Sequence, residues 1–369
     1  MKLYCTTSFG IEAVVKRELI NLGYPILEGR DGGIVTEGNE RSIAELNVHL
    51  RSAERVWWLI DEFKATTFDE LYDHVSQLSW STILPKDAAF PVTGKSVKST
   101  LFSVSDCQAI TKKAIVDAMQ RFYDTCPETG VTYPIAVHIT RDIARILIDT
   151  SGRGLHKRGY RLDQGEAPLK ETLAAAMVQL SYYSKDRPLL DPFCGSGTIA
   201  IEAAMIAKNQ APGLYREFAS DKWPGMKEHF DAVKQAALLA ITPTTKHIHA
   251  SDKDANVIAV AIRNATRARV FDVIDFTIED ATTTIPENNY PVIITNPPYG
   301  ERLNTQKQAN DIVKRWGENI AKTHTASVYV LTPHPSLETL IPRTIHKKRV
   351  LFNGPIKTTF YQSYGPKPE

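Results

Sequence analysis

The sequence predicts an α/β protein, with a doubly wound sheet in the C-terminal part, closed at one edge by an antiparallel hairpin, and a smaller α/β half before it. Three observations carry this expectation. Pro188-Leu189-Leu190-Asp191 reads as a short apolar strand, which Pro192-Phe193-Cys194-Gly195-Ser196-Gly197 turns into an Ala-rich helix from Thr198. Val292-Ile293-Ile294-Thr295 reads as a second buried strand, ended abruptly by Asn296-Pro297-Pro298-Tyr299 because proline lacks an N–H and fixes φ. Lys347 to Phe352 and Ile356 to Tyr361, joined through Asn353-Gly354, read as two strands around a tight turn. That tail departs from the helix–strand alternation before it, which predicts parallel pairing.

The N-terminal elements follow in order. Leu3 to Thr7 is a strand, and Ile11, Val14, Val15 and Leu19 recur at helical spacing until Gly23 stops the helix. A helix from about Ile43 to Leu50 and the apolar run Val56-Trp57-Trp58-Leu59-Ile60 complete a small module whose tryptophans are expected in the core. Then come a helix from Phe68 to about Leu78, a strand near Ala89 to Ser96, a helix from Ser105 to Phe122, and strands Ile135 to Thr140 and Ala144 to Asp149. Lys95, Lys98, Lys112 and Lys113 are candidate phosphate contacts. Between 141 and 161, Arg141, Arg145, Arg153, Lys157, Arg158 and Arg161 outnumber Asp142 and Asp149, and Gly152, Gly154 and Gly159 would let the backbone approach phosphates. His156 and Tyr160 offer flat faces for stacking. On charge alone, a solvated linker accounts for the same residues.

The chemistry is expected at strand ends. Gly195 and Gly197 allow a close backbone approach, and the N–H groups opening the next helix present a positive dipole end that suits a carboxylate. Asp252 ends the next strand, where it can accept from both hydroxyls of a ribose, and Asp254 reads as a helix cap. Asp280, after Ile274 to Ile278, can accept from an adenine amino group. The rigid turn at Asn296 aims its amide and the following carbonyls outward, as acceptors for an amine. The string from Gly195 to Ala200 also fits the loose dinucleotide pattern, so an NAD-dependent oxidoreductase competes; it lacks an acidic strand end about twenty residues on.

Asp191 to Gly197 resembles the Asp-Pro-Phe-Cys-Gly-Ser-Gly signature of an RNA methyltransferase group, and Asn296 to Tyr299 resembles the Asn-Pro-Pro-Tyr motif of enzymes that methylate exocyclic amines with S-adenosylmethionine (SAM). The stretches Asp149 to Gly152 and Leu155 to Arg161, the helix Pro168 to Met177, the insertion Ala211 to Trp223 and Gly300-Glu301-Arg302 extend the likeness. Essentially the whole chain is similar to the THUMP-containing RNA guanine-N2 methyltransferases of 23S ribosomal RNA and tRNA. The resemblance implies a ferredoxin-like domain at 1–64, a THUMP RNA-binding domain at 65–155, and at 156–369 a Rossmann-like SAM-dependent methyltransferase domain with a seven-stranded mixed sheet. It implies that SAM is held by Asp191, Pro192, Phe193, Cys194, Gly195, Gly197, Thr198, Asp252, Lys253, Asp280, Ala281 and Asn296. Asn296, Pro297, Pro298 and Tyr299 would carry catalysis without a metal, Tyr299 stacking on the flipped base while Asn296 and the Pro297 carbonyl accept from its amine. Arg153, Lys157, Arg158, Arg161, Lys95 and Lys98 would contact RNA, ribosomal RNA ahead of tRNA.

An apolar fraction of 43% can fill two or three cores. Cys5, Cys107, Cys126 and Cys194 lie far apart without a metal-like pair, so neither disulfides nor zinc are expected, and the compartment is a reducing, cytoplasmic one. Neither a signal segment nor a membrane-spanning run is evident. A net charge of +2 requires any RNA site to be a local patch. Three other functions compete. An adenine-N6 methyltransferase shares the proline motif and the amine chemistry, and a release-factor glutamine methyltransferase shares the motif but would not need the N-terminal half. A non-catalytic RNA-binding protein would not need Asp191, Gly195, Gly197, Asp252 and Asn296 together. Oligomeric state is not indicated.

Overall fold

The computed structural model describes residues 1–161, 169–244, 247–287, 289–299 and 306–367. The helix start expected at Pro168 and the Gly300-Glu301-Arg302 extension lie outside them. The first half runs β1 (Lys2–Thr6), α1 (Glu12–Asn21), β2 (Ile26–Arg30), β3 (Gly33–Glu37), α2 (Glu40–His49), β4 (Arg55–Lys64), α3 (Phe68–Gln77), α4 (Trp80–Ile83), β5 (Val92–Val97), α5 (Val104–Gln120), β6 (Ile135–Thr140) and β7 (Ile143–Asp149). Its strands form one sheet in the order β2-β3-β1-β4-β7-β6-β5, antiparallel except for β5 beside β6. Strand β4 is the seam. Ten residues long, it pairs with β1 on one side and β7 on the other, so the ferredoxin-like and THUMP parts share a continuous sheet. Trp57 is buried and Trp58 packs against the core, as expected.

The second half runs α6 (Glu171–Leu180), β8 (Leu189–Asp191), α7 (Thr198–Ala207), α8 (Met226–Leu239), β9 (Ile248–Asp252), α9 (Ala255–Arg267), β10 (Ile274–Ile278), β11 (Val292–Thr295), α10 (Gln306–Ile320), β12 (Ser327–Thr332), β13 (Lys347–Asn353) and β14 (Ile356–Ser363). Its order is β10-β9-β8-β11-β12-β14-β13, parallel from β10 to β12 and antiparallel across β14 and β13. This is the expected seven-stranded mixed sheet with its tail hairpin. Leu189, Ile248, Ala250, Val292 and Ile294 fill one face and Ile293, Val328 and Val330 the other. Such nearly continuous apolar strands suit a sheet covered on both sides.

The halves exchange parts of their cores. Phe218, Trp223, Met226, Phe230 and Val233, from the insertion and α8, are buried in the first core beside Leu46, Val48 and Tyr133. The Trp223 ring stacks on Tyr133 at 4.5 Å, and its indole N–H donates to the Thr132 carbonyl at 3.0 Å. Conversely, Ile11, which precedes α1, and Val14 of α1 join the second core. Each such side chain contributes on the order of 1.5–3 kcal/mol by leaving water. A polar knot ties the same boundary: Glu54 accepts from Ser8 Oγ (3.0 Å), Thr172 Oγ1 (3.1 Å) and Lys170 Nζ (3.3 Å), and meets His156 Nδ1 at 3.2 Å. Burial raises its proton affinity, but His156 and Lys170 more than offset this and hold it at about 2. Among the described residues no helix is long and apolar enough to cross a membrane.

Candidate active site

The five parallel strands end at one edge of the second sheet, the edge where open α/β sheets bind ligands. Asp191 ends β8, Asp252 ends β9, Glu279 and Asp280 follow β10, and Asn296 follows β11. A cleft of about 720 Å³ lies there, lined by Pro192, Phe193, Gly195, Asp252, Lys253, Asp280, Ala281, Asn296 and Pro298 among the expected residues. Its far wall is α10, through Gln308, Asp311, Ile312 and Arg315, and Asp254, Val257, Glu279 and Thr282 complete it. The sequence reading did not assign these last eight; the spacing 308, 311, 312, 315 is the helical-face signal that marks α10 as a wall.

The turn between β8 and α7 is set by backbone conformation. Gly195 and Gly197 have φ of +53° and +80°, a region that favours glycine. A Cβ on Gly197 would stand 3.1 Å from that of Ala261, whereas one on Gly195 would meet nothing within 4 Å. The backbone at Gly195 therefore borders open space in the cleft. Gly195 N–H donates to Asp252 Oδ2 at 3.2 Å and Asp254 N–H to Asp252 Oδ1 at 3.1 Å, which fixes the orientation of the carboxylate in the cleft. Asp280 accepts from the backbone N–H and hydroxyl of Thr282, both at 2.8 Å, and these bonds hold its carboxyl below the usual range. Among the described residues, Asn296 Oδ1 is buried without a hydrogen-bond partner. A buried acceptor without a donor costs about 1–3 kcal/mol, so this oxygen stands ready for one.

Family models match the chain at 158–362 (RMKL-like, methyltransferase domain), 2–57 (RlmL ferredoxin-like domain) and 65–149 (THUMP domain). The chain belongs to the RMKL-like methyltransferase family. The candidate RNA methyltransferase YpsC of Bacillus subtilis (strain 168) is 44% identical, over 98% of this chain and 95% of that protein. Two solved structures share the architecture with TM-scores of 0.93. One, a predicted N6-adenine-specific DNA methylase from Listeria monocytogenes str. 4b F2365, is 44% identical over 99% of this chain and 96% of that one. The other, SMU.472, described as a candidate methyltransferase and complexed with S-adenosylhomocysteine (SAH), is 39% identical over 100% and 99%. This RMKL-like protein is a SAM-dependent methyltransferase carrying an RNA-binding THUMP domain. Its cleft fits the group: Asp252, Asp254, Glu279, Asp280 and Asp311 against Lys253 and Arg315 leave an acidic surface for a sulfonium cation.

Other expected site residues of this methyltransferase lie elsewhere. Asp191 is buried beneath the cleft, where it accepts from Thr295 Oγ1 at 2.8 Å and Phe193 N–H at 3.4 Å; burial pushes its carboxyl up to about 7. Cys194, Gly197 and Thr198 support the turn from behind, and Pro297 and Tyr299 flank the cleft without lining it. Two expected phosphate contacts are corrected. Arg158 is buried, its guanidinium Nε 3.3 Å from Glu202 Oε1 on α7 while it donates to the carbonyls of Leu155 and Arg51. Arg161 is enclosed between Glu171, the Leu169 carbonyl and Thr198 Oγ1. Both cations are consumed by internal carboxylates, so neither is available to a phosphate. Tyr160, expected to stack, is buried with its hydroxyl 3.2 Å from Glu202, and His156 belongs to the Glu54 knot. Arg153, Lys157, Lys95 and Lys98 are exposed, whereas Lys112 and Lys113 are paired with Glu128 and Asp117.

Proposed function

We propose that this methyltransferase modifies the exocyclic N2 amine of a guanosine in structured RNA, 23S ribosomal RNA ahead of tRNA, in the cytoplasm. The observation that carries the amine chemistry is the buried, unpartnered Asn296 Oδ1 at the strand end facing the cofactor turn. The THUMP domain and the RNA methyltransferase name of the B. subtilis relative support RNA as the substrate. SAM supplies an electrophilic methyl group on its sulfonium. Asp252 holds the ribose, Gly195 and its neighbours receive the methionine end, and Asp280 with Ala281 borders the adenine.

A guanine amine is a poor nucleophile because its lone pair is delocalised into the ring. Asn296 Oδ1 and the Pro297 carbonyl accept its two N–H groups, favour a pyramidal nitrogen and free the lone pair for in-line attack. The nitrogen so presented would take the methyl group that bound SAM would supply, and would then shed a proton to solvent. Their hold strengthens as positive charge develops, so the gain falls in the transition state. The base must first leave its stack at a cost of a few kcal/mol, which contacts of the N-terminal half offset, and Tyr299 stacks on the extruded ring.

An adenine-N6 activity is the second reading, favoured by the name of the L. monocytogenes relative. Nucleoside mapping of ribosomal and transfer RNA from a deletion strain, with label transfer by the purified chain, separates them. Loss of N2-methylguanosine at one site is expected; N6-methyladenosine as the labelled product would overturn the guanine assignment.

A further inference from the structure

A second concavity, about 800 Å³, forms where three parts of the chain meet: the loop from Gly130 to Pro134, the junction at Ser151, Arg153 and Lys157, and the insertion at Tyr215, Arg216 and Lys222. Its lining carries four cations, Arg153, Lys157, Arg216 and Lys222, against a single carboxylate, Glu217. Arg153, Lys157 and Lys222 face solvent. Arg216 is held in place, donating to the Gly154 carbonyl at 2.9 Å and to that of Arg153, with its guanidinium 4.9 Å from the Phe218 ring centre. Burial lowers its pKa to about 10, and Arg158, Arg55 and Arg153 add to that, Asp149 opposing. With four cations and one carboxylate in its lining, the groove has unbalanced positive charge, which an anion would relieve. Beside these cations the Tyr215 ring is 46% exposed and backed by the Arg269 guanidinium at 4.2 Å.

Cations along a groove track a phosphate backbone, and an exposed ring takes the face of a base that is not already stacked. A continuous duplex offers the first but not the second. We propose that this groove binds the sugar–phosphate backbone of an unpaired stretch of the substrate RNA, with Tyr215 stacking on one of its bases. This rests on the RNA reading above and adds to it the class of RNA element and the surface that takes it. The insertion thereby acquires a second role, since besides completing the first core it presents Tyr215, Arg216 and Lys222 opposite the THUMP half.

The test is fluorescence anisotropy of the full chain with two probes, a labelled oligouridylate of about 12 nucleotides, within the site sizes such grooves take, and a labelled blunt-ended RNA duplex of the same length. Arg153→Ala, Lys222→Ala and Tyr215→Ala are compared with wild type at about 50 and 200 mM salt, and calorimetry with SAM checks that each variant keeps its cleft. Arg153→Ala and Lys222→Ala should each weaken oligouridylate binding several-fold at the lower salt and reduce the salt slope by about 0.7. Tyr215→Ala should weaken it roughly 5- to 100-fold with the slope unchanged, and leave the duplex alone. Variant isotherms superimposable on wild type would overturn the groove while leaving RNA as substrate. Equal losses on both probes would overturn the unpaired class. A wild-type chain that binds neither probe would sink the RNA reading itself, and this inference with it.

Discussion

Asn296 and Asp252 sit at the same sheet edge with different roles, and substitutions should separate them. Asn296→Ala removes a preorganised acceptor for developing charge, so the single-turnover rate at saturating SAM and RNA should fall on the order of 100- to 1000-fold with most SAM binding kept. Asp252→Ala strips a charged acceptor from two hydroxyls and should weaken SAM by roughly 1–3 kcal/mol in calorimetry. If Asn296→Ala turned over at the wild-type rate, the amine-activation mechanism would be wrong even for an active methyltransferase. Asp191 yields a pH prediction. Its folded pKa of about 7 lies above the ordinary carboxyl value of about 3.9, so the folded state binds this proton more tightly than the unfolded one. The stability it contributes is complete below about pH 4 and is lost as pH rises through 7. Asp191→Asn should therefore be more stable than wild type at pH 8, by up to roughly 4 kcal/mol, with the gap closing by pH 4. Urea melts at the two pH values decide it, and a pH-independent gap would refute the assignment. These residues were legible because each ends a strand where the backbone restricts what can stand. The fate of Arg158 was not: its partner Glu202 is 44 residues away, and a run of cations reads the same whether it faces water or a buried acid.

Among elements, the legible ones had strong local signals. The β13–β14 hairpin turns at Gly354, whose φ is +63°, and the short β8 is bracketed by its own motif. The β2–β3 pair was missed because Ile26 to Arg30 is an edge strand with three exposed residues in succession and little alternation. The strand expected from Ala89 begins at Val92, since Pro91 has no N–H to give a ladder and Ala89 makes only an isolated bridge with Thr132. Helix α7 carries the clearest energetic claim. Arg158→Ala would leave Glu202, which is fully buried, without its cation, and breaking such a pair typically costs about 3–5 kcal/mol. Its neighbour Lys157→Ala, on an exposed side chain, should stay within about 0.5 kcal/mol. Thermal melts of the two single variants test this, and comparable melting temperatures would return Arg158 to the surface.

At the scale of the molecule, the two sheets were foreseeable but their interlocking was not, because nothing local marks Trp223 or Phe230 as belonging to the earlier core. Trp223→Ala should cost about 3–5 kcal/mol. Hydrogen exchange should localise the loss to the THUMP strands near Thr132 rather than to the methyltransferase sheet; loosening confined to the second sheet would contradict the shared core.

That interlocking also bears on how the chain is made. The first sheet has all its strands once Asp149 has been synthesised, but the aromatic residues that seal its core arrive only when α8 is complete at Leu239. At translation rates of about 5–20 residues per second, the nascent N-terminal half waits on the order of ten seconds with an open apolar face. The half that reads RNA is thus the first to be born and among the last to be finished, and through that interval its open face is a surface for chaperones or for other nascent chains. Codon changes that slow elongation between 150 and 239 should raise aggregation of the nascent chain, while the same changes placed after 240 should not.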